Sequence, residues 1–229
     1  MKQHVAVVAL MVCTATAPAF AEGTRPYVEV QGGWSSYGMY AKGDLNDQIR
    51  VVNDTITPLH LRELNNGLQW GAGLGLDLPG RFCVGVAYDR LLGSDVTGYP
   101  PTEFAYDVAA NAFRATVQYE WKQADQDKGH VGVGVGVVSE AGSISFPPVG
   151  SGSSSGDLTG SGPLFEFIWG TDFDAGPRAQ VSIEFSLRYA VATGISLNGE
   201  PLLDAGGDES SIDYSGGMIR LRLRFTPSK

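Results

Sequence analysis

The sequence predicts an all-β chain whose eight antiparallel strands close into a single transmembrane barrel. Three observations predict it: strict period-two alternation, polar residues on the face that a soluble barrel would fill with apolar ones, and connections that alternate between short and long. The last segment shows the first two together. In Met218-Ile219-Arg220-Leu221-Arg222-Leu223-Arg224-Phe225, period two puts Ile219, Leu221, Leu223 and Phe225 on one face and three arginines on the other. One such face could be solvated, but the pattern recurs in seven earlier segments of the length needed to cross a bilayer as tilted strands.

In chain order, the first strand sets Val28, Val30 and Trp34 against Glu29 and Gln31. The second sets Leu68, Trp70, Ala72, Leu74, Leu76 and Leu78 against Gln69, Gly71, Gly73, Gly75 and Asp77, and Pro79-Gly80 turns the chain tightly. The third carries Phe82, Val84, Val86 and Tyr88 opposite Cys83, Gly85, Ala87 and Asp89. In the fourth, Phe113, Ala115, Val117, Tyr119 and Trp121 oppose Arg114, Thr116, Gln118, Glu120 and Lys122. After a polar turn over 123–129, valines 131, 133, 135 and 137 alternate with glycines. The sixth sets Phe165, Phe167 and Trp169 against Glu166, Ile168 and Gly170, and a third short turn covers 174–177. The seventh sets Val181, Ile183, Phe185, Leu187, Tyr189 and Val191 against Gln180, Ser182, Glu184, Ser186, Arg188 and Ala190.

Connections after strands one, three, five and seven are long, and those after two, four and six are short. Outer-membrane barrels show this asymmetry, with short periplasmic turns and long extracellular loops. Both termini then lie on the periplasmic side, and four mobile surface loops lie opposite. Trp34 and Trp70 fall at the outer strand ends, and Phe82, Trp121, Phe173 and Phe225 at the inner ends, as two aromatic girdles.

The 229 residues begin with Lys2, the apolar run 5–12 and Ala19-Phe20-Ala21, which predicts a signal peptide over 1–21 and a barrel domain over 22–229. A lipid anchor at Cys13 is disfavoured by the bulky Val12 before it. Cys83 is then the only cysteine left, so no intramolecular disulfide forms, and it reads as a small packed side chain. No stretch beyond Ala21 has the length of apolar residues that a membrane helix needs. Formal charge is −9, from 16 Lys and Arg against 25 Asp and Glu, and losing Lys2 leaves 15 against 25, or −10. That excludes nucleic acid as a natural partner, because such a face needs clustered exposed cations.

The whole mature chain resembles the small eight-stranded outer-membrane barrels, a group that includes OmpA/OmpX-type, opacity-like and OmpW-like proteins. Its closing segment, Tyr214-Ser215-Gly216-Gly217 through Phe225, resembles the signal read by the barrel-insertion machinery, with one departure: Thr226-Pro227-Ser228-Lys229 follow the aromatic residue. The resemblance implies residence in the bacterial outer membrane, reached through the periplasm, among outer-membrane lipids and lipopolysaccharide.

The inward face collects Glu29, Asp77, Asp89, Glu120, Glu166 and Glu184 against Arg114, Lys122, Arg188, Arg220, Arg222 and Arg224. An eight-stranded barrel is just wide enough to be filled by side chains, so these charges should pair across it and close it. Arg220, Arg222 and Arg224 should meet Glu29 on one side and Glu184 on the other, and the glycine faces should give long arginines room. The predicted role is structural or interactive, through loops on a rigid frame, above all residues 37–66. The alternatives are a small-solute channel or carrier of hydrophobic molecules, a lipid-modifying enzyme, and a soluble barrel. The last would expose a continuous apolar band to water.

Catalysis has little support. A barrel hydrolase needs Ser and His together on the lipid face, whereas His130 is followed by glycines and His60, near Asp54 and Glu63, sits in the first loop. No cofactor or metal is implied: the glycine-serine stretch 150–162 lacks the lysine of a phosphate loop and reads as a flexible loop, and Gly71-x-Gly73-x-Gly75 is a strand face. Glu200, Asp204, Asp208, Glu209 and Asp213 make the last loop acidic. Solvation explains them, with divalent cations bridging them to lipopolysaccharide as the second reading.

Overall fold

The computed structural model describes residues 23–38, 45–55, 62–97, 104–122, 127–145, 156–203 and 207–227, so the predicted leader, Cys13, His60 and Asp204 lie outside it. Eight strands build the barrel: β1 Arg25–Ser36, β2 Asn66–Leu78, β3 Phe82–Thr97, β4 Phe104–Lys122, β5 Asp127–Ser145, β6 Gly156–Gly176, β7 Ala179–Leu197 and β8 Gly216–Phe225. Each pairs antiparallel with the next, and β8 pairs with both β7 and β1. Closure removes the sheet edges that an open meander would leave unpaired.

The orientation is inside out. Leu221 is 59% exposed and Val135 54%, whereas Arg220 and Arg222 on the opposite face of β8 are 1% and 2%. All six predicted girdle aromatics, Trp34, Trp70, Phe82, Trp121, Phe173 and Phe225, are exposed. Cross-strand aromatic contacts strengthen this belt, such as Trp169 on Phe185 with centroids 5.9 Å apart.

Strand length departs from expectation. The strands β1, β2 and β8 have 12, 13 and 10 residues, but β3 to β7 have 16 to 21. Crossing a bilayer takes about 9–11 residues, so five strands rise well beyond what a crossing needs, on the side of the long connections. Two stretches predicted as loops are therefore strand. The β3–β4 connection shrinks to 98–103, and Gly156 to Gly162 open β6, with Leu158 opposite Gly142 and Gly162 opposite Val138. Outward residues here are small and polar, and Thr159 and Ser196 hydroxyls bond at 2.7 Å, so no apolar alternation advertises the strand.

Inside this extension the inner face turns apolar. Leu91, Val108, Ala110, Ala112, Val138, Ile144, Leu158, Leu164, Ala190, Ala192 and Ile195 form one buried cluster. Tyr37, Ile49 and Leu64 from the β1–β2 connection, with Ile212 and Tyr214 before β8, complete it. The first connection holds a helix, α1 Leu45–Thr55, whose Ile49 enters that core. Asn46 pins it: the Leu64 amide donates to its Oδ1 at 2.7 Å, and its Nδ2 donates to the Leu64 carbonyl at 3.3 Å. The Tyr106 hydroxyl donates to the Arg62 carbonyl at 2.7 Å.

The last connection is built as firmly. Asn198 (φ 53°) and Gly199 (φ 87°) form a two-residue turn with both φ positive, which returns Glu200–Pro201 against Ser196 and Leu197. Ile212–Asp213 then pairs with Val191 and Ala192, and Asp213, expected on the acidic rim, is buried with its Oδ1 accepting from the Ser215 amide at 2.8 Å. The described parts of both connections are thus docked pieces of a cap rather than mobile loops.

Replacing Leu158, 1% exposed within the cap, by alanine should cost about 2–5 kcal/mol, because close-packed neighbours relax only partly into the space. Chemical denaturation measures it; a loss below about 1 kcal/mol, on the scale of an exposed site, would show that the cap is not a packed core.

Candidate functional site

The lumen below the cap is filled by ion pairs, and β8 organises them. Its three arginines share a face because the strand has period two, and each guanidinium meets at least two carboxylates. Nearest the short turns, Arg224 Nη1 lies 3.0 Å from Glu120 Oε1 and 3.4 Å from Asp77 Oδ1, and its guanidinium stacks 4.1 Å above the Tyr27 ring. Arg222 Nη1 lies 2.8 Å from Glu184 Oε1, and its Nη2 3.1 Å from Asp172 Oδ1. Arg220 joins Glu184 Oε2 through Nε at 2.5 Å and Glu166 Oε1 through Nη1 at 2.9 Å.

A second cluster continues the network. Arg114 pairs with Asp89, and its Nε lies 3.1 Å from Glu166 Oε2. Arg188 Nη2 lies 3.1 Å from Asp89 Oδ2 and 3.8 Å from Glu166 Oε2. Gln31 donates its Nε2 to Asp89 Oδ1, and Gln118 Oε1 accepts from Arg222 Nη1 at 3.0 Å.

Of the twelve residues predicted to line this network, eleven have ion pairs within it. Lys122 does not: it is the last residue of β4 and exposed, since an inward parity has no lumen to point into once the strand has ended. Glu29 is a looser partner than Glu184, at 3.7 Å from Arg222 and 3.8 Å from Arg224. The β5 glycine face adjoins an arginine as expected, a side chain at Gly134 beginning 3.5 Å from Arg114 Cδ, whereas Gly73 on β2 and Gly85 on β3 give room to other residues. A side chain at Gly73 would begin 2.9 Å from Glu29 Oε1, and one at Gly85 2.7 Å from the Tyr27 hydroxyl.

Two members escape the sequence reading, His130 and Asp172. Both are buried, His130 Nδ1 lies 3.0 Å from Asp172 Oδ2, and its Nε2 lies 3.0 Å from Glu184 Oε1. A neutral imidazole donates from one nitrogen only, so the doubly protonated ring is the form that satisfies both carboxylates. Parity would have found them. His130 shares the even face of Gly132 and Gly134, and Asp172 follows Gly170 by one inward step.

Asp77, Cys83 and Glu120 offer three metal-ligating atoms within 4.8 Å of one another. Arg224 Nη1 already stands 3.0 to 3.8 Å from all three and supplies the positive charge there. Cys83 Sγ lies 3.2 Å from Asp77 Oδ1 and 3.1 Å from Glu120 Oε1, so its thiol completes this polar group rather than an apolar packing site.

No protein-family model matches the chain, and no curated protein matches it by sequence. Among solved structures it is similar to Neisserial surface protein A of Neisseria, with a TM-score of 0.50 at 13% identity over 90% of this chain and 100% of that one. A major outer membrane protein from Thermus thermophilus aligns with a TM-score of 0.47 at 13% identity, over 88% and 99% of the two chains. For the N-terminal barrel domain of Pseudomonas aeruginosa OprF the TM-score is 0.43 at 10% identity, over 89% and 99%. At such identity the likeness is one of fold: the chain has the eight-stranded outer-membrane barrel fold.

Glu184 touches three cations, so Glu184→Gln should destabilise the barrel by about 3–5 kcal/mol, the effect of leaving buried charge uncompensated. Adding Arg220→Met should cost less than the sum of the two single losses, which a double-mutant cycle measures. Strict additivity would mean that the lumen is hydrated enough to screen these pairs.

Proposed function

We propose that this protein is an integral barrel of the bacterial outer membrane whose closed lumen makes it a rigid post, and whose cap is a surface-contact platform. One observation carries the reading: the interior is filled along its length, by ion pairs near the short turns and by an apolar core near the long connections. Among the described residues this filling leaves no open aqueous path, which supports a structural and interactive role over transport. The continuous exposed band of Val, Leu, Phe and Trp supports burial in lipid, since in water it would be an aggregation site. On this reading the leader over 1–21 directs export, the insertion machinery acts on the closing strand, and lipids with lipopolysaccharide surround the wall. The described part of the cap would then offer its surface partner a folded face, whose docked segments need no ordering on binding.

A narrow solute path is the second reading. It is favoured by buried polar atoms without a protein partner where the ion network meets the cap, among them both amide atoms of Gln69 and Nε and Nη1 of Arg188. Single-channel recording on the refolded protein separates the two: a silent trace is expected, and stable unitary openings would replace the closed post with a channel.

The lipid-facing assignment has its own test. Val135→Arg, in the middle of the exposed valines of β5, should cost about 2–4 kcal/mol for refolding into vesicles, the penalty for arginine near a bilayer midplane. Ser161→Arg, on the outward face of the extension, should change stability by less than about 0.5 kcal/mol. Equal tolerance at both positions would sink the assignment.

A further inference from the structure

Among the described residues, exposed charge is sorted by end. Four exposed cations stand at the short-turn rim: Arg25 opens β1, Arg81 lies in the β2–β3 turn, Lys122 ends β4, and Arg178 lies in the β6–β7 turn. The described carboxylates at that end are engaged elsewhere. Asp77 and Glu120 turn to Arg224, Asp172 is buried against His130 and Arg222, and Asp174 Oδ1 lies 3.7 Å from Lys128 Nζ. The β4–β5 turn also carries Asp125 and Asp127, whose side chains lie outside the described residues. The cap end is the reverse. Asp54, Asp107, Asp157, Glu200, Asp208 and Glu209 are exposed there against Arg50 and Arg62, and Arg50 is engaged by Asp47 at 2.9 Å and Glu63 at 2.7 Å.

We propose that the short-turn rim is a docking ring for the phosphates of anionic glycerophospholipids in the inner leaflet, a step that rests on the outer-membrane reading above. The cations adjoin the aromatic belt in the chain: Arg81 precedes Phe82, Lys122 follows Trp121, and the Arg178 carbonyl accepts from the Thr226 amide at 3.0 Å, beside Phe225. Belt aromatics mark headgroup depth, and Lys and Arg stems are long enough to reach phosphates from there. The four cations also come from the chain entry and from each of the three hairpins, so they are distributed around the circumference. Separate lipid headgroups can meet such a ring one by one, whereas a single anionic polymer strand would need its cations gathered on one side. The acidic cap end offers the same phosphates only repulsion, so the ring also fixes which end an anionic leaflet favours.

The test compares the whole protein with the variant Arg25→Gln, Arg81→Gln, Lys122→Gln, Arg178→Gln. Both are refolded into vesicles of phosphatidylcholine, without and with phosphatidylglycerol, and the folded-to-unfolded ratio is read by urea titration. Any repulsion at the acidic end is common to both proteins, so their difference reports the rim. The expected result is near-equal stability in phosphatidylcholine and a wild-type advantage of at least about tenfold with phosphatidylglycerol, erased by raised salt. An equal response of the two proteins to phosphatidylglycerol overturns the ring, as does an advantage of the same size in phosphatidylcholine alone. An advantage produced by soluble peptidoglycan fragments and not by phosphatidylglycerol overturns the lipid assignment in favour of a cell-wall partner. If the fourfold variant does not fold, Lys122→Gln alone carries the comparison, with about a fivefold effect expected. A wild-type chain that enters none of these vesicles sinks the outer-membrane reading itself, an outcome distinct from the others.

Discussion

Everything in this barrel depends on neutralising three arginines that a single strand drives into the interior. Period two leaves β8 no choice: if Ile219 and Leu221 face outward, Arg220, Arg222 and Arg224 face inward. A buried guanidinium without partners is too costly to retain, so carboxylates on β1, β2, β4, β6 and β7 must come within reach of it. That requirement also fixes the closing register. Arg220 stands opposite Glu184 on β7 and Arg224 opposite Glu29 on β1, and a slip of one residue would put Ile219 or Leu221 against Glu184, or Leu223 or Phe225 against Glu29. Arginine suits this use better than lysine, because its planar fork binds two acids at once, as Arg220 does with Glu166 and Glu184.

Much of this was legible in the sequence, because alternation reports a face without reference to the neighbours. Arg114, Arg188 and Glu166 are placed by parity alone, and so are the outward Leu221 and Trp169. Parity does not say where a strand stops. Lys122 has the inward parity, yet the strand ends on it, and Asp172 was missed because β6 continues beyond Gly170. The cap was illegible for a related reason. Its outward residues are small and polar, so Ser139, Thr159 and Ser161 read as loop although they are laddered into the sheet. One local signal was present. Asn198-Gly199 is the dipeptide a two-residue hairpin demands, since both residues take positive φ, and it marks the return of the chain onto β7.

The helix α1 could not have been placed by alternation at all. Its position comes from tertiary contacts, the insertion of Ile49 and the paired bonds between Asn46 and Leu64, and these form only once the extended β3 to β7 offer an apolar inner face. The dependence runs both ways. The extension has an inner face that water would otherwise reach, and among the described residues it is the first and last connections that cover it. Tyr37 and Tyr214 meet edge to face at 5.3 Å, which locks these two connections to each other.

The change between the two compartments falls at the same step on four neighbouring strands. Going toward the cap, the inward residue passes from Arg114 to Ala112, from Gly136 to Val138, from Glu166 to Leu164 and from Arg188 to Ala190. On β4 and β5 the outward residue turns polar at that step, from Phe113 to Asn111 and from Val137 to Ser139; on β6 and β7 it turns polar one outward residue further on, at Ser161 beyond Pro163 and at Thr193 beyond Val191. Each strand has two faces, and only one of them can be apolar without leaving the other to aggregate or to bind lipid. Where lipid takes the apolar face, polar groups are left for the interior and must neutralise one another there. Where water takes the outer face, the interior reverts to an ordinary apolar core. The two switches thus fall together on β4 and β5 and within one outward residue of each other on β6 and β7, the pattern expected where the solvent changes along the barrel axis, with the inner switch at Ala112, Val138, Leu164 and Ala190.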